Sequence, residues 1–322
     1  MKIKSQQGVA IITALLIVAL AATTATYLLW QQSLWTRQVE NLMARAKANA
    51  IAQAGAQLAR GQLNEFADKE NFYQFLGKQL PLQAPAEGAS MVGMMEDEES
   101  KFNLNNLVHF NDDPAPATPV QPNRGNASPP PKKITSRDIF STLLKELKLP
   151  ETLMDPLLGW IGHPEQQGDD LTYLAKDPPY RSAHQKIIDI NELYRIKDFT
   201  PEIIEILRPY ITALPTNSTL NVNTAPEILL QATGLEPSVV AEIMKKREAT
   251  PFLTRAKLDE VLNSKPLPYT VGFTSKYFLA SGRVTSGNVD IGYSALLERQ
   301  SASATTPNTE WPRIIWLQQG TE

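Results

Sequence analysis

The sequence predicts an α+β protein: a long amino-terminal helix packed on an antiparallel sheet, with an all-α domain inserted between the early and late strands. Three observations predict it. Residues 9–30 carry no charge and run without a break into further helix-forming sequence. Residues 135–263 form a block of short helical segments punctuated by Pro, and residues 276–317 hold three β-rich runs.

The first element decides the topology. At about 1.5 Å per residue the uncharged run is roughly 33 Å long, enough to cross a hydrocarbon core of about 30 Å. A helix closes its own backbone hydrogen bonds and tolerates lipid. Lys2 and Lys4 are the charges before the span, which places the amino end in the cytoplasm and everything after Trp30 across the membrane. A secretory signal peptide fits poorly, since its apolar core of about 7 to 15 residues ends at a small-residue cleavage site. Beyond the span Val39, Leu42, Met43, Ala46, Ala50, Ala54 and Leu58 recur at steps of mostly three and four, with Arg37, Glu40, Arg45, Lys47 and Arg60 on other faces. One helix is therefore expected over residues 9–62, roughly 80 Å long. Only Gly55 argues against its continuity, at about 1 kcal/mol relative to Ala. Ala44, Ala46, Ala48, Ala50, Ala52, Ala54 and Ala56 permit close approach of another helix. Trp30 and Trp35 suit the membrane–water boundary.

Next come the early strands. Residues 90–95 read as a strand, and residues 102–107 follow an acidic turn at 96–99. A loop over 112–133, with Pro114, Pro116, Pro119, Pro122 and Pro129 to Pro131, should be extended and mobile. The late strands are expected at 276–285, 288–299 and 311–317, with Gly287-Asn288 turning between the first two. The chain divides accordingly into a leader (1–8), a membrane-spanning helix segment (9–30), the first part of the body with its Pro-rich loop (31–134), an inserted α domain (135–265) and the carboxyl-terminal strands (266–322).

The inserted block holds a weak internal repeat. Ile188-Asp189-Ile190-Asn191-Glu192-Leu193 precedes Phe199-Thr200-Pro201-Glu202 and a helix; Leu220-Asn221-Val222-Asn223-Thr224-Ala225-Pro226 precedes Leu235-Glu236-Pro237-Ser238 and another. A polar residue before Pro caps a helix whose first position tolerates the missing N–H. Asn223 or Thr224 is the expected cap before Pro226, and Thr200 and Glu236 begin the second helix of each unit. Such pairs are helix-hairpin-helix-like, so a membrane-anchored DNA-binding protein is the alternative function. A phosphate-gripping hairpin uses a Gly-x-Gly turn, whereas Gly234-Leu235-Glu236 puts a carboxylate at the second Gly. Lys245, Lys246 and Arg247 read as a solvated helix end, and the repeat as a packing scaffold.

Composition narrows the chemistry. With 31 basic and 34 acidic side chains the net charge is −3, giving no general attraction to nucleic acid. The chain has no Cys, so disulfides, iron–sulfur clusters and thiol catalysis are excluded. His109, His163 and His184 leave little material for zinc or a catalytic triad, and no nucleophile elbow surrounds a Ser. Ser182, His184 and Asp189 imitate a triad only by sequence proximity. The chain reads as a non-enzyme.

At the junction of leader and span, Gln6-Gln7-Gly8-Val9-Ala10-Ile11-Ile12-Thr13 resembles the prepilin peptidase site of type IV pilins and type II secretion pseudopilins. A side chain at the cut would obstruct the extended backbone, so Gly8 suits the position. The resemblance implies cleavage between Gly8 and Val9, methylation of the new amino terminus at Val9, and retention of the helix. That family usually has Glu where this chain has Thr13. An ionised carboxylate at a helix centre in lipid costs about 2.5 to 3.5 kcal/mol and needs a partner. Its absence suits a subunit at a filament end and is typical of the K-type minor pseudopilin. Residues Lys101-Phe102-Asn103-Leu104-Asn105-Asn106-Leu107, Ala213-Leu214-Pro215, Leu220 to Ala225 and Ser275-Lys276-Tyr277-Phe278 resemble further motifs of that family.

What the resemblance implies is a pilin-like body with a large inserted α domain, at the pseudopilus tip with I- and J-type minor pseudopilins. It also implies an inner-membrane, single-pass protein with its bulk in the periplasm, acting in export through other type II secretion components. Members of the family can hold calcium on an acidic loop after a Trp-containing helix; here that loop retains Glu165, Asp169 and Asp170, with Gly159 and Gly162 at the family's acidic positions beside Trp160. A solvated acidic loop is the alternative there.

Overall fold

The computed structural model describes residues 7–66, 76, 80–82, 88–108, 134–162, 170–263, 267–299 and 311–320. The Pro-rich loop lies outside the described residues. Helix α1 runs unbroken over Gln7–Phe66. Among the described residues it is the one helix long and apolar enough to cross a membrane. In its first half the hydroxyls of Thr23, Thr24, Thr26, Ser33 and Thr36 donate to carbonyls three or four residues earlier. A hydroxyl so used does not ask lipid for a partner.

The second half of α1 lies on a sheet. Ala48, Ile51, Ala52, Gly55, Ala56 and Leu63 are buried there. Gly55 does not interrupt the helix. A Cβ at that position would stand 2.7 Å from Tyr293 Oη and 3.0 Å from Met91 Sδ, so the missing side chain is the space Tyr293 fills. The stripe read from spacing sits on the opposite side: Leu42 and Met43 are 68% and 67% exposed, and Val39, Ala46, Ala50 and Leu58 are exposed as well. The alanines thus divide. Ala48, Ala52 and Ala56 bring α1 close to its own sheet, while Ala46 and Ala50 face away from it.

Strands β1 (Leu80–Leu82) and β2 (Ala89–Asp97) follow. The expected acidic turn at 96–99 takes another form. The strand continues to Asp97, a 3₁₀ turn spans Glu98–Ser100, and Asp97, Glu98 and Glu99 are buried. The short strand β3 (Phe102–Asn103) leads into the α domain, whose helices are α2 (Ser136–Glu146), α3 (Met154–Ile161), α4 (Asp170–Leu174) and α5 (Pro201–Leu207). After β4 (Ile211–Thr212) and β5 (Leu220–Asn221) come α6 (Glu227–Ala232), α7 (Pro237–Ala249), α8 (Arg255–Leu262) and β6 (Val271–Gly272).

One apolar cluster joins this block from Phe102 to Val271, and it takes in Leu104, Leu107 and Val108 from the segment before the Pro-rich loop. Parallel pairs Phe102↔Ile211 and Leu220↔Val271 stitch its ends, and Ile134 N–H donates to Pro268 O at 3.0 Å. Helix starts follow local chemistry. Thr135 and Asp138 form a capping box, and the Thr200 hydroxyl accepts from Ile203 N–H. The expected cap before Pro226 is not found. Pro226 itself occupies the cap position of α6 without a side-chain bond, because Asn223 is turned inward to other work described below.

The main sheet is completed by β7 (Tyr277–Ser286), β8 (Val289–Glu298) and β9 (Arg313–Gly320), in the order β1-β2-β7-β8-β9, all antiparallel. Ser286 pairs with Val289 across Gly287-Asn288, with positive φ at Gly287 alone, as a type II′ turn requires. Alternate residues Phe278, Ala280, Val284, Ile291, Tyr293, Ala295 and Leu297 face α1. Strand β9 extends past the expected Leu317 because Gln318, Gln319 and Gly320 pair through their backbones, which apolar content does not report.

Candidate assembly interface

Two features organise the possible work of this chain: a polar junction that sets the α domain on the sheet, and an unused apolar side of α1. The junction is built from four Asx turns, in which a side-chain oxygen accepts the N–H two residues on. Asp97 does this for Glu99, Asn103 for Asn105, Asp189 for Asn191 and Asn221 for Asn223. The second Asn of two motifs then clamps a distant backbone. Asn105 Oδ1 accepts from Ile187 N–H at 2.9 Å while its Nδ2 donates to Ile187 O and Leu214 O. Asn223 Oδ1 accepts from Phe252 N–H at 2.7 Å while its Nδ2 donates to Phe252 O and Phe273 O. Asn103-Leu104-Asn105 and Asn221-Val222-Asn223 thus share one clamp, while Asp189 and Asn221 open the two repeat units with the same turn.

Asp97 sits where these clamps converge. Its Oδ2 accepts from Asn221 Nδ2 at 2.9 Å, from Ser275 Oγ at 2.7 Å and from the Thr224 hydroxyl. Burial raises its carboxyl despite these bonds. Glu99 accepts from Lys276 N–H at 3.1 Å; burial and the neighbouring Asp97 charge push it up to about 8. Glu98 bonds the Thr212 hydroxyl and Lys101 Nζ, the latter at 2.7 Å. Burial alone would depress the Lys101 ammonium, but Glu98 and Glu96 hold it above its usual value. From sequence this stretch is only an acidic turn at 96–99, although the spaced Asp and Asn residues are a visible signal.

The remaining sequence-derived sites are dispersed. Gly8 and Val9 lie in the first turns of α1, Thr13 follows one turn later, and the leader before Gln7 is outside the described residues. Of the calcium candidates, Glu165 and Asp169 are outside the described residues and Asp170 opens α4. The described flank gives them no help. Gly162 has φ +90°, and a Cβ there would meet His184 Cα at 3.0 Å, so an acidic side chain at that position does not fit the fold. Among the described residues no group of three or more His, Asp or Glu is placed to hold a metal.

Ser182, His184 and Asp189 form no relay: Asp189 is committed to Asn191 N–H and to Gln318 Nε2 at 2.9 Å, and His184 N–H donates to Trp160 O. Arg247 departs from the expected solvated helix end. It is partly buried and its Nη1 donates to Val222 O and Ala225 O at 3.0 and 2.7 Å, tying α7 to the segment before α6. Lys246 pairs with Glu242 at 3.0 Å. Gly234 has φ +83° with Ile134 Cδ1 where a Cβ would be, and Glu236 is exposed at the start of α7. That hairpin is shaped by packing against Ile134 and offers phosphate a carboxylate.

Among the described residues, the outward side of α1 carries an exposed apolar stripe. Leu42, Met43, Ala46 and Ala50 continue the exposed apolar segment toward the folded body, and Trp30 and Trp35 are exposed on the helix before them. Water does not favour such a patch on a monomer.

Comparison with known proteins adds three observations. Residues 100–216 match the family described as type II secretion system (T2SS), protein K. The type II secretion system protein K of Pseudomonas aeruginosa is 26% identical over 305 residues, covering 88% of this chain and 86% of that protein, and that of Pectobacterium carotovorum is 26% identical over 317 residues, covering 91% and 92%. The fold is similar to a chain in the crystal structure of the GspK-GspI-GspJ complex from the enterotoxigenic Escherichia coli type 2 secretion system, with a TM-score of 0.66 and 17% identity over 88% of this chain and 100% of that one.

Proposed function

From its kinship with type II secretion system protein K, we propose that this chain is a non-enzymatic minor pseudopilin that starts and caps a pseudopilus together with I- and J-type partners, and so supports export of folded proteins. The observation that carries the reading is the division of α1. One side is spent on the chain's own sheet, and the opposite apolar side is continuous with the membrane segment. A helix stored in the inner membrane loses little when it exchanges lipid for the helices of partner subunits, and Ala46 and Ala50 let those helices approach closely. Thr13 brings no carboxylate into that bilayer. The remainder of the chain then lies in the periplasm, with the α domain above the sheet blocking addition of a further subunit.

Two experiments test this. Co-purification of the chain with candidate I- and J-type pseudopilins should succeed, and Ala46→Leu with Ala50→Leu should weaken retention at least about tenfold, equivalent to roughly 1.4 kcal/mol, without changing thermal stability. Unchanged retention would exclude this face. Gly8→Leu should leave the precursor uncut by prepilin peptidase, whereas the parent should yield a chain beginning at methylated Val9; normal processing of the variant, judged by intact mass, would overturn the cleavage assignment.

A further inference from the structure

The α domain meets the sheet through an apolar contact of Leu214, Tyr277 and Leu296, through the Asp189–Gln318 bond, and through the junction around Asp97. The charge balance of that junction is unusual. Asp97 and Glu99 are both buried on one turn at the end of β2. The cations nearby are already engaged. On the same segment Lys101 is bound by Glu98 and Glu96. On the strand entering β7, Lys276 Nζ turns to Glu298 at the end of β8, 2.7 Å away, beside the Tyr277 ring. The segment 220–224 offers only the neutral Asn221 and Thr224, and Ser275 adds a hydroxyl. Asp97 therefore holds four donors that span three separate pieces of chain, while Glu99, two residues away, accepts the Lys276 backbone N–H.

We propose that this junction is a proton-sensitive latch: with Glu99 neutral it holds the α domain on the sheet, and ionisation of Glu99 beside Asp97 loosens it. The reading does not depend on the tip assignment. Burial first, and the Asp97 charge second, raise Glu99 from an ordinary 4.5 to about 8, and the Lys276 and Tyr277 contacts offset this only in part. The native state thus keeps a proton that an opened state releases. Its stabilising effect is complete below the ordinary carboxylate range and falls as pH rises through about 8. A domain seam that answers to pH in this way would change how the α domain is presented above the sheet.

Hydrogen exchange on the full-length chain in detergent micelles tests the latch. After correction for intrinsic exchange, opening at the Glu99 and Lys276 amides should rise about tenfold or more between pH 6 and pH 9. Amides of the β7–β8 ladder should not follow. In Glu99→Gln the rise should shrink to within about twofold; an equal rise in that variant, or none in the parent, overturns the proposal. Should the variant fail to fold, spin labels decide the matter in the otherwise unchanged chain, which has no native Cys. With Lys245→Cys on α7 and Thr285→Cys on β7, the distance distribution should be single at pH 6 and broadened at pH 9. An identical distribution at both pH values overturns it.

Discussion

Asp97→Ala should destabilise the folded body by about 3 kcal/mol or more. Four donors converge on that carboxylate: Glu99 N–H, Asn221 Nδ2, Ser275 Oγ and the Thr224 hydroxyl. A buried donor left without an acceptor costs about 1 to 3 kcal/mol, and here several lose theirs together. Part of the cost is recovered, because Asn221 Nδ2 also donates to Ser275 Oγ at 2.7 Å. Asp97→Asn should cost less, since it keeps the shape and one accepting oxygen. Chemical denaturation followed by tryptophan fluorescence measures both variants. An Asp97→Ala midpoint equal to that of the parent would mean that Asp97 does not fasten the α domain.

Gly55→Leu should produce the second large effect, against what helix propensity alone would say. In an exposed helix the substitution gains close to 1 kcal/mol. Here the first added carbon already falls 2.7 Å from Tyr293 Oη and 2.8 Å from Cζ, and the rest of Leu must enter a filled space. Overpacking of this kind costs about 1 to 3 kcal/mol. The helix cannot simply rise off the sheet, because Ala48, Ala52 and Ala56 on either side of Gly55 depend on the same close approach. Thermal unfolding should therefore occur at a lower temperature in Gly55→Leu, with helix content before the transition unchanged. A variant as stable as the parent would place α1 elsewhere than against Tyr293.

The two substitutions mark where reading from sequence stops. Spacing on α1 picked out Val39, Leu42, Met43, Ala46, Ala50, Ala54 and Leu58 as its apolar face. The sheet instead takes Ala48, Ile51, Ala52, Gly55, Ala56 and Leu63, with Ala and Gly where the helix comes closest to the strands. Periodicity identified an exposed apolar side of the helix and missed the side the fold itself uses. In the same way Glu96 to Glu99 read as an acidic turn, and charge alone gives no sign that part of it is buried. The donors that make burial acceptable are 124 residues away at Asn221 and 178 residues away at Ser275. The cap expected before Pro226 failed for a related reason: Asn223 is drawn to Phe252 and Phe273, and a local role yields to a distant one.

Local periodicity and turn chemistry by themselves determined the unbroken α1, the Gly287-Asn288 hairpin, the late strands and the helices begun by Thr135 and Thr200, because each depends on residues within one or two turns. They also marked the uncharged span. Only the tertiary structure decided which side of α1 meets the sheet, why Gly55 belongs in a helix, and how Asp97, Asn105 and Asn223 bind segments far apart in the chain. Those outcomes turn on the volume and hydrogen-bonding capacity of groups brought together by folding, and such pairings leave no period in the sequence.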